Sequence, residues 1–415
     1  MASSEESTSG VSLSQPDFWI SPERESGFAA LRQNHPISWQ PELVTAWSDG
    51  GRGYWAVVTH SGVRAVSRDA KRFVSGRGTE LFELPLDAVE AFSGMLNMDG
   101  ARHAQMRSVV SGAFSPRYIA QLEPMIQAEA DRIIDAVVER GECDFVSEIA
   151  EPFPTAVICE MMGIPESDRR EIARLSRIAV PLGDAEYGSF DDALQAVLDL
   201  IEYAKELGRE RQKHPREDLT TTLVMADAGG EHLTAEEMGT FFELLVTAGI
   251  ETTAASIAHG MLALSEHPDQ RTLLFGDYEH MAPHAVEEML RWSTPVIHFR
   301  RTAIEDLELD GTAISAGDKV LMFYNSANRD ERVFDAPDKF DITRNPNPHV
   351  TFGGGGLHFC LGAHLARLEM RVLFKTLQER LGTVEITGEP VLMHSMFFNG
   401  IKAMPCEFTP GAPVG

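Results

Sequence analysis

One helical run constrains this fold more than any other feature of the sequence. At Thr234 the tetrapeptide Thr-Ala-Glu-Glu sets a capping box, with Glu237 three residues on, and the helix continues until His267-Pro268 stops it. At 1.5 Å per residue it spans roughly 50 Å, enough to cross the whole molecule rather than pack along one side. It is therefore expected at the centre. From about Ser115 to Leu290 the apolar positions mostly keep helical spacing, while strand-like runs such as Tyr54 to Thr59 and Lys319 to Phe323 lie nearer the two ends. The fold class is mainly α with small β-sheets contributed by both ends. Pro and Gly are scattered, no linker offers a cut and nothing recurs at a fixed period, so residues 16–415 read as one domain behind a disordered tail over 1–15.

Charge narrows the function classes. Lys+Arg 36 against Asp+Glu 63 gives a net charge of -27, a field that repels phosphate backbones and anionic lipid, so nucleic acid is not an expected partner. Met1 to Gly10 carries no basic segment and no apolar stretch near the roughly 20 residues of a membrane span, so neither export nor a membrane anchor is expected and the location reads as cytoplasmic. Cys143, Cys159, Cys360 and Cys406 are too widely spaced for a paired zinc framework and too few for a disulfide scaffold, which fits a reducing compartment.

The middle of the long helix reads Ala248-Gly249-Ile250-Glu251-Thr252-Thr253, placing a glycine, an acid and two β-branched hydroxyls where helix propensity favours Ala and Leu. Two explanations stand side by side. Gly249 could mark a close helix crossing, with Glu251 solvated. Alternatively a flat ligand lies against Gly249, and Glu251 and Thr252 move protons beside it. Downstream, Glu288 and Arg291 are three apart and share a helix face; alone, such a pair is ordinarily exposed and weak.

The third feature runs from His349 through Phe352, four glycines, His358, Cys360 and Gly362 to Arg367. The stripe Leu361, Leu365, Leu368, Val372 starts a helix near Cys360. A cysteine among unpaired helix N-H groups is expected to be held as the thiolate, the form that ligates metal, and the glycines let the backbone approach something bulky. A phosphate loop would need Gly-Lys-Ser/Thr where Cys, Leu and Gly stand, and a G-x-G-x-x-G fingerprint fits Gly353 to Gly362 in no register. Zinc on His358, Cys360 and His364 lacks a fourth ligand at familiar spacing, and a Cys360 nucleophile lacks an orienting third group.

Gly356-x-His358-x-Cys360-x-Gly362, Glu288-x-x-Arg291 and Ala248-Gly249-x-Glu251-Thr252-Thr253 resemble, in order, the three signature segments of the cytochrome P-450 haem-thiolate monooxygenases. The resemblance extends over most of the chain: His103-x-x-x-Arg107 is similar to the family's haem-propionate helix and Arg301-Thr-Ala to its propionate-binding strand. One departure is visible. Phe352 stands eight residues before the cysteine instead of the usual seven, which leaves its contact open.

The resemblance implies a cytochrome P-450 fold, haem b (iron protoporphyrin IX) with Cys360 as axial thiolate, and propionates met by His103, Arg107, Arg301 and His358. It implies a buried structural pair at Glu288 and Arg291. It makes Glu251 and Thr252 the acid and alcohol that bring protons to dioxygen, which favours a monooxygenase over a peroxide-driven peroxygenase or a non-catalytic haem sensor or carrier. The segments Leu81 to Met98, Pro295 to Phe299 and Met396 to Phe398 are expected to line an apolar pocket. The stretch Arg344 to His349 resembles actinobacterial members that hydroxylate sterol side chains, methyl-branched lipids or terpenoids. Electrons are expected from a separate ferredoxin and its reductase, or a flavodoxin, docking near Arg102, Arg117, Arg367, Arg371 and Lys375, on a monomer.

Overall fold

The computed structural model describes residues 10–43, 50–81, 94–179, 184–226 and 233–414. The capping box forms: Glu237 N donates to Thr234 Oγ1 at 3.1 Å and Thr234 N donates to Glu237 Oε2 at 3.0 Å, opening a helix Ala235–Glu266 of 32 residues. At the far end the His267 N-H reaches back to Ala263 O, and Pro268 begins the next helix, Pro268–Gly276. Among the described helices this is the one long and apolar enough to cross a membrane, yet most of its apolar stretch is buried inside the protein. Helices Pro152–Met162, Glu166–Ala179, Phe190–Lys213 and Tyr278–Ser293 pack around it. Phe241, Phe242, Val246, Ile250 and Ile257 carry it into the largest apolar core, whose burial drives the assembly.

The strands, in chain order, are β1 (Ile37–Gln40), β2 (Tyr54–Val57), β3 (Phe73–Val74), β4 (Glu142–Asp144), β5 (His298–Ala303), β6 (Leu307–Leu309), β7 (Thr312–Ile314), β8 (Lys319–Phe323), β9 (Glu385–Ile386), β10 (Val391–Leu392), β11 (Ile401–Ala403) and β12 (Pro405–Glu407). A five-stranded sheet runs β1-β2-β8-β5-β3, in which β2 and β8 pair parallel, Trp55 with Val320 and Val57 with Met322. A three-stranded sheet, β4-β12-β9, joins the C-terminal strand to a segment far earlier in the chain. The small sheets therefore come from both ends, as the sequence implied.

Leu13 and Ser14, which the expectation assigns to the tail, are packed into the fold. Leu13 is fully buried against Trp19 and Phe28, with its N-H on Gln40 Oε1 and its carbonyl accepting from Trp19 Nε1, and Ser14 is buried beside Tyr54. An apolar side chain flanked by satisfied polar groups anchors there despite the polar composition before it. Residues 1–9 lie outside the described residues.

Candidate active site

A cavity of about 230 Å³ lies beside the middle of the long helix, which contributes Leu244, Leu245, Ala248, Gly249, Thr252 and Thr253 to its lining. A Cβ built on Gly249 meets Ile158 at 3.5 Å, ordinary contact, so no helix crossing demands glycine there and the open face belongs to the cavity. Nor is Glu251 solvated: it is 8% exposed. Burial, reinforced by the Glu151 carboxylate and opposed by Arg177, pushes its carboxyl up to about 7. Arg177 is ion-paired with Glu151 and reaches the surface, so the two charges that act on Glu251 form a pair at the solvent side. Sequence reasoning missed both, because each lies far from Glu251 along the chain. Thr252 lines the cavity and donates from Oγ1 to Ala248 O at 2.7 Å. That bond leaves the hydroxyl's lone pairs available.

The loop before helix Ala363–Leu381 contributes Phe352, Gly353, His358, Phe359, Cys360 and Leu361 to the lining. At Gly356, with φ +88, a Cβ would stand 2.5 Å from Ser67 O, so the backbone there approaches helix His60–Arg68 closely, while Gly353 lines the cavity. Ser67 Oγ fastens the loop by donating to Gly355 O at 2.6 Å. The contact left open at Phe352 is resolved: its carbonyl accepts from Cys360 N at 2.9 Å, and Arg367 sits over its ring at 4.4 Å.

The helix begins at Ala363 with Gly362 as its cap, two residues beyond Cys360. The N-H groups of Gly362 and Ala363 still reach the sulfur, with Arg107 and Arg367 nearby. Cys360 is accessible and lines the cavity, yet protein crowds the sulfur closely enough that desolvation outweighs these donors and raises the thiol. The expected thiolate is thus not secured by the helix terminus alone.

Four groups expected to act together do meet. His103 and His358 stack with ring centroids 4.2 Å apart, and burial together with Arg301, His103 and Arg107 holds the His358 imidazole down to about 3. Both ring nitrogens of His103 are buried without a partner, although the residue lines the cavity. Arg301, from β5, donates to Arg300 O; Arg107 donates to Phe359 O at 2.6 Å. Among the described residues neither arginine ion-pairs with a carboxylate. A chain of charge -27 has gathered uncompensated donors at one cavity edge. Unsatisfied buried donors with two guanidinium groups fit a buried dianion such as paired carboxylates.

Glu288 and Arg291 are fully buried and paired through both oxygens at 2.8 Å, not exposed. Arg291 also holds the carbonyls of Asn328 and Pro337, while Glu288 accepts from Asp341 N, Asn347 Nδ2 and Arg344 Nε. This network fixes the strand-poor segment that leads into the glycine loop. Of the apolar segments, Met95 and Leu96 line the cavity with Pro295, Val296 and Phe299. Phe397 and Phe398 pack against Val296 and Phe299, two of the cavity's lining residues. Residues 82–93 of the segment Leu81 to Met98 lie outside the described residues.

The family model described as Cytochrome P450 matches residues 279–394. A methyl-branched lipid omega-hydroxylase of Mycobacterium tuberculosis is 41% identical over 406 residues, covering 96% of this chain and 95% of the relative. A steroid C26-monooxygenase of Mycolicibacterium smegmatis is 38% identical, covering 92% of this chain and 90% of its own. The solved structure of a Mycobacterium marinum cytochrome P450 in complex with pseudoionone superposes with a TM-score of 0.91 at 40% identity, covering 96% of this chain and 98% of that one. Fold and relatives define an oxidoreductase of the haem-thiolate class. The chain belongs to the cytochrome P450 family, and it is a monooxygenase acting on apolar substrates. Family and fold imply a cysteine-ligated haem.

Proposed function

We propose that this monooxygenase hydroxylates a lipid at an apolar chain end, a sterol side chain, methyl-branched lipid or terpenoid, using dioxygen and electrons from a ferredoxin system. The observation that carries the reading is one apolar cavity lined together by Cys360, Thr252 and the cluster His103, Arg107, Arg301 and His358. The names of the two relatives, omega-hydroxylase and C26-monooxygenase, support the choice of substrate class.

In this reading Cys360 would ligate the iron of haem b through its sulfur, and His103, Arg107, Arg301 and His358 would hold the two propionates. The haem, when bound, supplies the centre at which dioxygen is reduced and cleaved. The protein's own groups do the rest. Val296, Phe299 and Leu245 bind and orient the apolar chain and exclude bulk water. Glu251 takes a proton from the solvent side by changing rotamer, with the Glu151–Arg177 pair setting the charge around it, and passes it to a water held on Thr252 Oγ1. A carboxyl near neutrality serves both halves of that transfer. A carrier or sensor would have no use for it.

The donor surface needs revision. Arg102, Arg367 and Lys375 are ion-paired with Glu237, Glu287 and Glu279, so among the described residues Arg117 and Arg371 are the expected cations left for an acidic ferredoxin. The protein is read as a cytoplasmic monomer with 16–415 as one domain; the pairing of β4 with the C-terminal β12 supports the single domain.

The test is a screen of sterols, branched fatty acids and terpenoids for displacement of the haem Soret band, then turnover with ferredoxin, reductase and NAD(P)H. Hydroxylation at a chain end upholds the proposal. Turnover by peroxide alone, with no response to ferredoxin, would replace it with a peroxygenase.

A further inference from the structure

Cys143 and Cys406 are 263 positions apart in the chain but face each other directly in register across the antiparallel pair β4-β12. Their sulfurs stand 3.5 Å apart. The backbone on either side is held in place: Phe145 N donates to Met404 O at 2.9 Å on one side and Phe408 N donates to Gly141 O at 2.9 Å on the other. Reaching the covalent sulfur–sulfur distance of about 2.05 Å thus requires only side-chain motion. Cys406 is buried and Cys143 half-buried, so one sulfur is shielded and its neighbour can be reached from solvent. The hydrogen bond between them eases the first ionisation of the pair and hinders the second.

The other two cysteines behave differently. Cys159 is buried in helix Pro152–Met162, where desolvation pushes its thiol up to about 12, and Cys360 belongs to the cavity.

We infer that Cys143 and Cys406 form a reversible redox pair, oxidised by hydrogen peroxide to a cross-strand disulfide. Cys143 sulfur attacks one peroxide oxygen, the O-O bond breaks, and a sulfenic acid and one water result. Cys406 sulfur then displaces the hydroxyl as a second water, closing the S-S bond. Two thiols lose two electrons and two protons, and one peroxide becomes two waters. The oxidant has a local source, since a monooxygenase that reduces dioxygen without inserting it releases peroxide. A dithiol reductant reverses the reaction. The bond would tie the C-terminal strand to the segment that turns through the π-helical Val146–Ala150 into helix Pro152–Met162, whose Ile158 lines the cavity beside Gly249. Peroxide would thereby stiffen one wall of the substrate site without touching Cys360.

The test uses the haem-loaded enzyme exposed to hydrogen peroxide, alkylated, digested and mapped by mass spectrometry, with the carbon monoxide spectrum recorded on the same sample. Expected is a Cys143–Cys406 linked peptide lacking two hydrogens, lost on adding dithiothreitol, a thermal midpoint raised by a few degrees, and an unchanged spectrum. In Cys406→Ala the reaction should stop at a Cys143 sulfenic acid that dimedone traps. Free thiols at both positions after treatment, separate sulfinic acids, or links made instead through Cys159 would overturn the inference.

Discussion

Glu251→Gln offers a test of the proton-relay assignment that does not depend on turnover. The wild-type carboxyl titrates at about 7 against a usual 4.5, and its burial means solvent screens little of that difference. The folded state therefore holds a proton that the unfolded chain has already released between those two values. Stability contributed by the neutral form is fully present below about 4.5 and is lost as pH rises through about 7. At about 1.36 kcal/mol per pH unit, the loss accumulated between pH 5 and pH 8 is about 2.5 kcal/mol. Glutamine has the same shape and never ionises, so the variant escapes this loss. The stability difference between Glu251→Gln and wild type should widen by that amount in the variant's favour from pH 5 to pH 8, a few degrees in Tm for a chain of this length. Glu80 and Glu243, also pushed up to about 7 by burial, titrate in both proteins and cancel. Glu151 faces Glu251, and relief of its own repulsion acts in the same direction. The assay is thermal unfolding of the haem-loaded pair at both pH values. A gap that stays flat with pH would show that Glu251 is charged or solvated, and the relay would fail with it.

Thr252→Ala should keep haem and substrate binding and still consume NAD(P)H, but hydroxylated product per NAD(P)H should fall about tenfold or more, with the missing oxygen recovered as peroxide; unchanged coupling would make the hydroxyl structural. Glu288→Ala strands the buried guanidinium of Arg291 and removes the acceptor for Asp341 N, so denaturant unfolding should report a loss of about 3–5 kcal/mol. A loss below about 1 kcal/mol would mean that water or Asp341 replaces the carboxylate. Charge reversal at Arg117 and Arg371 should slow ferredoxin-driven reduction several-fold at low salt and flatten its salt dependence. An unchanged rate would place the docking surface elsewhere.

The parts of the fold and site that the sequence disclosed are those written in local chemistry. Thr234, Glu237 and His267-Pro268 act on their immediate neighbours, so the long helix and its limits could be read directly. The cavity lining at Gly249, Thr252 and Cys360 followed from residue types that local propensity disfavours. What stayed hidden depends on distant partners. The titration of Glu251 is set first by its burial and then by the charges of Glu151 and Arg177, and the glycine loop is packed against Ser67, surroundings that no local pattern records. The parallel pairing of β2 with β8 and the meeting of Cys143 with Cys406 are of the same kind, made by segments more than two hundred residues apart. The packing of Leu13 turned on one apolar residue in a polar stretch, too short to register as a pattern.

The central claim, that Cys360 ligates a haem in the cavity as a thiolate, is tested most directly by the spectrum of the reduced carbon monoxide complex of the wild-type protein and of Cys360→Ser. The wild type should give the long-wavelength Soret band of a thiolate-ligated haem, and the variant should lose that band whether or not it retains haem. A Cys360→Ser protein that keeps the thiolate band would contradict the account.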